Sequence, residues 1–247
     1  MRFSDSRGQS MQIGAILLFG FLVIALTTAQ AQLVPADISR SELDHSQRVA
    51  DQLVGLETAV FETSVTGRPQ PTTIDLGPTY DDRLLAVYPP PRAGRLRTTA
   101  PATLHIDNAQ AVGDDDSFGT YWNGTTHSYT TRAISYEPAY RELDAAPRYR
   151  LEYGVLAAQY DSGSRIEIAA NRHPVVDDTA ITLPVVDGEL TATGVATESV
   201  VPERVTDSTT VDIEASGSPI RLRLPTDLSA ETWRETILDG QPTVNAV

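Results

Sequence analysis

The sequence contains no cysteine and no lysine. Without thiols there is no disulfide framework, no thiolate metal site and no cysteine nucleophile. The fold must therefore rest on an apolar core, for which 247 residues are ample. All 19 basic residues are arginine, set against 33 acidic ones, and the net charge is −14. The first 36 residues hold Arg2, Arg7 and Asp5 and carry +1, so the remainder carries −15. Such a surplus repels phosphates and excludes nucleic-acid binding on electrostatic grounds. Arginine in place of lysine, with aspartate outnumbering glutamate, points to a halophilic setting in which salt screens the repulsion of an acidic surface. On that reading Asp114, Asp115, Asp116 and Ser117, like the pair Asp177 and Asp178, are solvated loops. The first run also lacks the alternating ligands and closing glutamate of a calcium loop. Catalytic signatures are missing as well: there is no G-x-S-x-G, H-E-x-x-H, phosphate-binding loop or G-x-G-x-x-G. Of His45, His105, His127 and His173, none stands at metal-ligand spacing with another. The expectation is a non-enzymatic protein with no cofactor and no metal.

What is present is one long uncharged run. No charge occurs from Gly8 to Ala36, and residues 13–26 are apolar throughout. About 20 apolar residues cross the roughly 30 Å of a bilayer core. Residues 13–34 supply that length with Thr27, Thr28, Gln30 and Gln32 at the outer interface. Arg2 and Arg7 before the run, and the acidic bulk after it, predict a cytoplasmic N-terminus and an external remainder. Two other readings compete with a plain anchor. A secretory signal could be cut at the small-x-small site Ala29, Gln30, Ala31. A pilin-type leader would instead be cut before the run and leave the helix in the mature chain. Pro35 predicts that the helix ends or bends near Val34. The expected organisation is a leader over 1–8, a membrane helix over 9–34, an amphipathic helical stalk over 35–66 and an external β-rich domain over 67–247.

Within the stalk, Val49, Leu53, Leu56 and Val60 form a stripe on one helical face, with Arg48, Asp51, Gln52 and Glu57 assigned to other faces. The stripe suits a helix lying on its own domain or a coiled-coil or filament seam. Residues 66–71 form a cluster of helix breakers. Beyond it the sequence reads as short strands, expected over 72–76, 84–88, 94–98, 102–106, 129–136, 148–153, 155–160, 165–171, 179–186, 189–195, 209–214 and 220–224. Strict alternation marks residues 165–168, 210–213 and 220–224 as half buried. Asp161 to Ser164 and Asp187 with Gly188 supply turns. This rhythm predicts a mainly β protein with an N-terminal helix, the domain being a β-sandwich or jelly-roll-like fold. A short C-terminal helix follows, capped by Ser229, with Trp233 and Ile237 on its buried face and Gly240 and Pro242 ending it.

Asn123, Gly124 and Thr125 form the single N-glycosylation sequon, in an aromatic stretch with Phe118, Tyr121 and Trp122. Trp122 reads equally as a surface contact or a core plug. Tyr88, three prolines and Arg92 predict a stiff polyproline segment, either a docking face or a rigid bend between strands.

Arg7 and Gly8 followed by Gln9, Ser10 and the apolar helix resemble the class III signal of archaeal type IV pilins and archaellins. The run ending Val34-Pro35, the segment 42–47, the prolines after Tyr88, residues 134–140 and the Trp233 helix together resemble haloarchaeal surface proteins with such an N-terminus. The resemblance implies cleavage between Gly8 and Gln9 by a prepilin-type peptidase, and pilin-like subunits as partners beside the lipid bilayer. It carries no catalytic residues. Many pilins have glutamate at the fifth mature position, where this chain has Ile13. The expected function is a membrane-anchored external protein of pilin-like kind, structural or adhesive. The alternatives are an unprocessed single-pass binding module for a glycan, cation or protein, and a secreted hydrolase.

Overall fold

The computed structural model describes residues 6–80, 86–112, 116–160, 165–172, 175–177, 180–206 and 210–239, without the side chains of 6–10, 116, 117 and 177. Its dominant element is a single helix, α1 (Ser6–Thr66), of 61 residues, about 90 Å at 1.5 Å per residue. The helix does not end at Pro35. Proline removes one backbone donor and disfavours a helix interior by about 3 kcal/mol. Here the turns on both sides are held by other contacts: Gln30 is bonded to a distant loop, while Val34 and Ile38 are buried.

Strands β1 (Thr72–Asp75), β2 (Gly94–Thr98), β3 (Ala102–Asp107) and β4 (Ala109–Ala111) precede a short helix α2 (Asp116–Tyr121). Then come β5 (His127–Thr131), β6 (Ile134–Glu137), β7 (Arg148–Glu152), β8 (Val155–Tyr160), β9 (Arg165–Ala170), β10 (Val176–Asp177) and β11 (Ala180–Ile181). Last are β12 (Thr191–Gly194), β13 (Thr197–Val200), β14 (Ile213–Ala215), β15 (Arg221–Arg223) and helix α3 (Ala230–Thr232), which continues as a π turn over Trp233–Ile237. Every pairing among the described strands is antiparallel, and the largest sheet has the order β12-β2-β6-β7-β8-β9. A three-stranded sheet has the order β15-β3-β5. At the β7–β8 hairpin Tyr153 and Gly154 take φ 53 and 80, the two left-handed positions that a tight two-residue hairpin turn requires.

Alternation along the strands creates two cores, one on each face of the large sheet. Leu96, Ile134, Tyr136, Tyr149, Leu151, Leu156 and Ala158 point to one side and meet Val49, Leu53 and Leu56 of α1. Val155 and Ala157 point to the other, with Leu104 of β3 and with Leu228, Trp233 and Ile237 at the C-terminus. The molecule is thus a helix on a β-sandwich, and Trp233 lies in the core as its spacing with Ile237 predicts. Leu56 is 0% exposed, and burial of such a side chain contributes about 1.5–3 kcal/mol. The stripe of α1 therefore lies on its own domain rather than forming a free seam.

Several sequence expectations shift in detail. The strand expected over 129–136 is two, β5 and β6, in different sheets. The chain changes sheet at Arg132 and Ala133, whose amides donate to the Val186 carbonyl and the Thr99 hydroxyl instead of to a ladder. The strand expected over 84–88 lies partly outside the described residues, and Ala86, Val87 and Tyr88 are not in a strand. Among the described residues 180–186 only Ala180 and Ile181 are in a strand. The turn over 161–164 and the stop at Gly240 and Pro242 fall outside the described residues. Strands β4, β10 and β13 and helix α2 are additions that the sequence pattern did not reveal.

Candidate functional site: the helix and its junction with the domain

Helix α1 has two halves of opposite character. From Met11 to Leu33 its large apolar side chains are exposed, among them Ile16 at 70%, Leu18 at 71%, Phe21 at 71% and Leu33 at 60%. This is one helix long and apolar enough to cross a membrane, and none of its most apolar window is buried in the domain. Thr27 donates its hydroxyl to the carbonyls of Val23 and Ile24 at 3.0 Å, so its polar group is satisfied within the helix. From Val34 onward the same helix is built into the domain. Val34, Ile38, Glu42, His45, Val49, Leu53 and Leu56 are all buried. Their spacing of four, four, three, four, four and three residues holds one face of the helix.

Glu42 and His45 break that apolar stripe; the domain satisfies Glu42, whereas His45 is bonded through Nδ1 and its buried Nε2 has no hydrogen-bond partner among the described residues. The Glu42 carboxylate is 0% exposed. Its Oε1 accepts from the Arg141 amide at 2.7 Å and the Tyr80 hydroxyl at 2.8 Å, and its Oε2 accepts from the amides of Glu142 at 2.8 Å and Leu143 at 3.0 Å. Three successive amides converging on one anion form a nest, a backbone arrangement suited to negative charge. Nearby, His45 Nδ1 and the Tyr140 hydroxyl are 2.7 Å apart, and the two rings meet edge to face. Arg92 donates to the Tyr140 carbonyl at 3.0 Å. The corner after β6 therefore wraps Glu42 on one side of the helix and stacks on His45 on the next turn.

Above and below this centre the junction continues. The Tyr88 hydroxyl donates to Asp37 at 3.0 Å, and its ring lies 6.2 Å from that of Tyr80. Gln30 donates to the Val87 carbonyl at 2.7 Å and accepts from the Val87 amide at 3.3 Å. Both ladder-forming groups of Val87 are thus spent on a side chain. Val87 and Tyr88, which lead into the proline segment, are thus held against the chain's own helix. Further along α1, Gln52 exchanges two hydrogen bonds with Asp75, which Arg48 approaches at 3.6 Å and Thr197 bonds at 2.6 Å.

Burial pushes the Tyr140 phenol up to about 12 and keeps it a hydroxyl donor or acceptor. Burial also holds His45 below the ordinary imidazole value, against the opposing pull of Asp75. His45 is therefore neutral in the fold and must take up a proton on unfolding in acid. Its folded value lies below its unfolded one, so its contribution is complete above about pH 6.5 and is lost as the pH falls through the folded value. Urea unfolding should therefore show lower stability at pH 5.5 than at pH 7.5. His45→Gln should flatten that decline, and an unchanged decline would remove His45 as its source.

Gly8 and Gln9 lie in the helical backbone at the start of α1, and their side chains are outside the described residues. Asn123 is exposed at the end of the α2 turn. Its Oδ1 accepts from the Thr125 amide at 3.1 Å and the Thr125 hydroxyl at 2.6 Å, an Asx turn closed over Gly124 at φ 83. Trp122 is half buried and neither plug nor free contact: its ring lies 4.6 Å from His127, which stacks on Tyr121 at 4.3 Å. Asp114, Asp115, Asp178 and His173 lie outside the described residues, as do the side chains of Asp116 and Asp177. Among the described residues no cluster of three or more His, Asp or Glu is placed to hold a metal. A pocket of about 20 Å³ under Thr131, Arg150, Glu152 and Tyr153 has room for about one water. No family model, curated protein or solved structure matches this chain.

Proposed function

We propose that the protein is a membrane-anchored external surface protein of type IV pilin-like kind, structural or adhesive rather than catalytic. One observation carries the reading: α1 is a single helix whose first half is bare and apolar and whose second half is the spine of a folded domain. A bare apolar half is stable only in lipid or against similar helices. Arg2 and Arg7 precede it and a charge of −15 follows it, which supports a cytoplasmic N-terminus and an external domain. Acidic composition without lysine supports a salty exterior. On this reading the leader is removed between Gly8 and Gln9, and the retained helix anchors the domain or joins a bundle of pilin-like subunits.

Intact-mass and N-terminal peptide analysis of the native protein is the test. A mature chain beginning at Gln9 in the membrane fraction is the expected result. A chain beginning near Gln32 would lose most of the bare half and sink the reading in favour of a secreted protein. A chain retaining Met1 would favour the second reading, an unprocessed binding module. That reading draws on the ring cluster of Tyr121, Trp122 and His127, which leaves Tyr121 49% exposed beside the Asn123 turn.

An external domain also makes Asn123 the acceptor of an N-linked glycan, since the side chain is exposed and its turn is already closed by Thr125. The native protein should carry a glycan mass that Asn123→Gln and Thr125→Ala both abolish. Identical masses for native and substituted proteins, after allowance for the substitution, would reject modification there.

A further inference from the structure

We infer that the loop Ala86 to Pro91 is a second membrane contact, seated at the lipid interface beside α1 and fixing the depth and tilt of the domain. The inference rests on the membrane reading of α1 and adds a surface to it. Gln30 binds both backbone polar groups of Val87, so Val87 sits beside that turn of the helix. Leu26, Gln30 and Leu33 fall on one face at spacings of four and three residues. Leu26 and Leu33 are 46% and 60% exposed, and Val87 is 78% exposed. The loop therefore extends the bare surface of the helix sideways instead of covering it. Residues 86–91 carry no charge.

Distances along the helix place this patch. The uncharged run 8–36 is centred on residue 22, and the wholly apolar run 13–26 between residues 19 and 20. At 1.5 Å per residue, Gln30 lies about 12–16 Å from either centre, which is the edge of a hydrocarbon core of about 30 Å. A glutamine amide at that depth needs internal partners, and the Val87 backbone supplies one donor and one acceptor. The Val87 backbone, with no strand partner, needs the same in return. Beyond Val87, Tyr88 and Tyr80 hold the loop toward Asp37 and Glu42 at the level where charge resumes. Tyrosines at that level are the side chains that membrane interfaces favour. Lipid is the one occupant that is continuous with the bare helix on both sides of this loop.

The absence of cysteine makes the test direct. Val87→Cys, Leu26→Cys and Val205→Cys each place one thiol in the full chain, Val205 being 85% exposed. Each is labelled with a nitrobenzoxadiazole fluorophore and reconstituted in phosphatidylcholine–phosphatidylglycerol vesicles with or without spin-labelled lipid. The label at 87 should emit at shorter wavelength than that at 205 and be quenched several-fold more by a shallow spin label. Gln30→Ala should release the loop and lower that quenching while the label at 26 stays quenched. A label at 87 that behaves as at 205 while 26 is quenched overturns the loop contact and leaves the anchor standing. A blue-shifted label at 87 without quenching means protein covers the patch and likewise overturns it. If neither 26 nor 87 is quenched, the membrane reading falls with it.

Discussion

Replacing Glu42 by alanine should lower the unfolding free energy by about 4 kcal/mol or more, because it strands four donors at once. The Arg141, Glu142 and Leu143 amides and the Tyr80 hydroxyl all end on this carboxylate, which is 0% exposed. A buried donor left unmade costs about 1–3 kcal/mol, and water entering the gap recovers only part of that. For a domain of this size each kcal/mol is worth about 2–4 °C, so the melting temperature should fall by about 10 °C. Glu42→Gln is the sharper probe. It keeps the shape, but whichever way the amide turns, its NH2 faces at least one backbone N–H. The loss should be smaller, about 2 kcal/mol. Leu43→Ala, at a neighbouring exposed position, should change little. Urea titrations of the full chain in detergent measure all three. Glu42→Ala and Glu42→Gln both within about 1 kcal/mol of the parent would show that the nest is not what joins helix to domain.

The same residue explains what the sequence could and could not disclose. The helical stripe is legible because helix periodicity is local: Val49, Leu53 and Leu56 predict a buried face, and that face is buried. Strands β2, β3, β7, β8 and β9 follow from alternation and turn chemistry for the same reason. Extending the stripe backwards reaches Glu42 and His45 at core positions, and an acid with an imidazole there is a signal that the sequence did contain. Its meaning was not legible, since the partners of Glu42 lie about a hundred residues downstream, at Arg141 to Leu143. Glu57 shows the opposite error. A helical wheel assigns it to another face, yet it is 0% exposed, because the domain covers more than one stripe of the helix. Pro35 reads as an end or a bend because proline's local penalty is all a sequence shows. The contacts that override it, Gln30 to Val87 and Val34 in the core, are tertiary. Strand β13 was invisible since its weight comes from pairing with β1, from Thr72 opposite Val200 to Asp75 opposite Thr197, and not from a hydrophobic pattern of its own.

A double substitution in the bare half of α1 separates its two roles. Leu18→Arg with Leu22→Arg should abolish membrane association and leave the domain's stability unchanged. Both leucines are exposed, at 71% and 62%, and an arginine on such a surface alters folding stability by no more than about 0.5 kcal/mol. At the centre of a bilayer the same change costs about 2.5–3.5 kcal/mol per arginine, besides the lost leucine. The sum is about 6 kcal/mol, or about four orders of magnitude in partition at 1.4 kcal/mol per tenfold. Both leucines lie within about 6 Å along the axis of either centre of the uncharged and apolar runs, so each arginine would sit near mid-bilayer. Flotation of cell membranes on a density gradient reads the first role, and urea unfolding of the purified chain reads the second. A variant that still floats with membranes would mean that another surface holds the protein there. A variant that floats poorly and also unfolds early would mean that residues 11–33 are part of the folded domain, contrary to their exposure. Only the combination of lost flotation and intact unfolding fits a helix that is solvated by lipid in one half and by its own protein in the other.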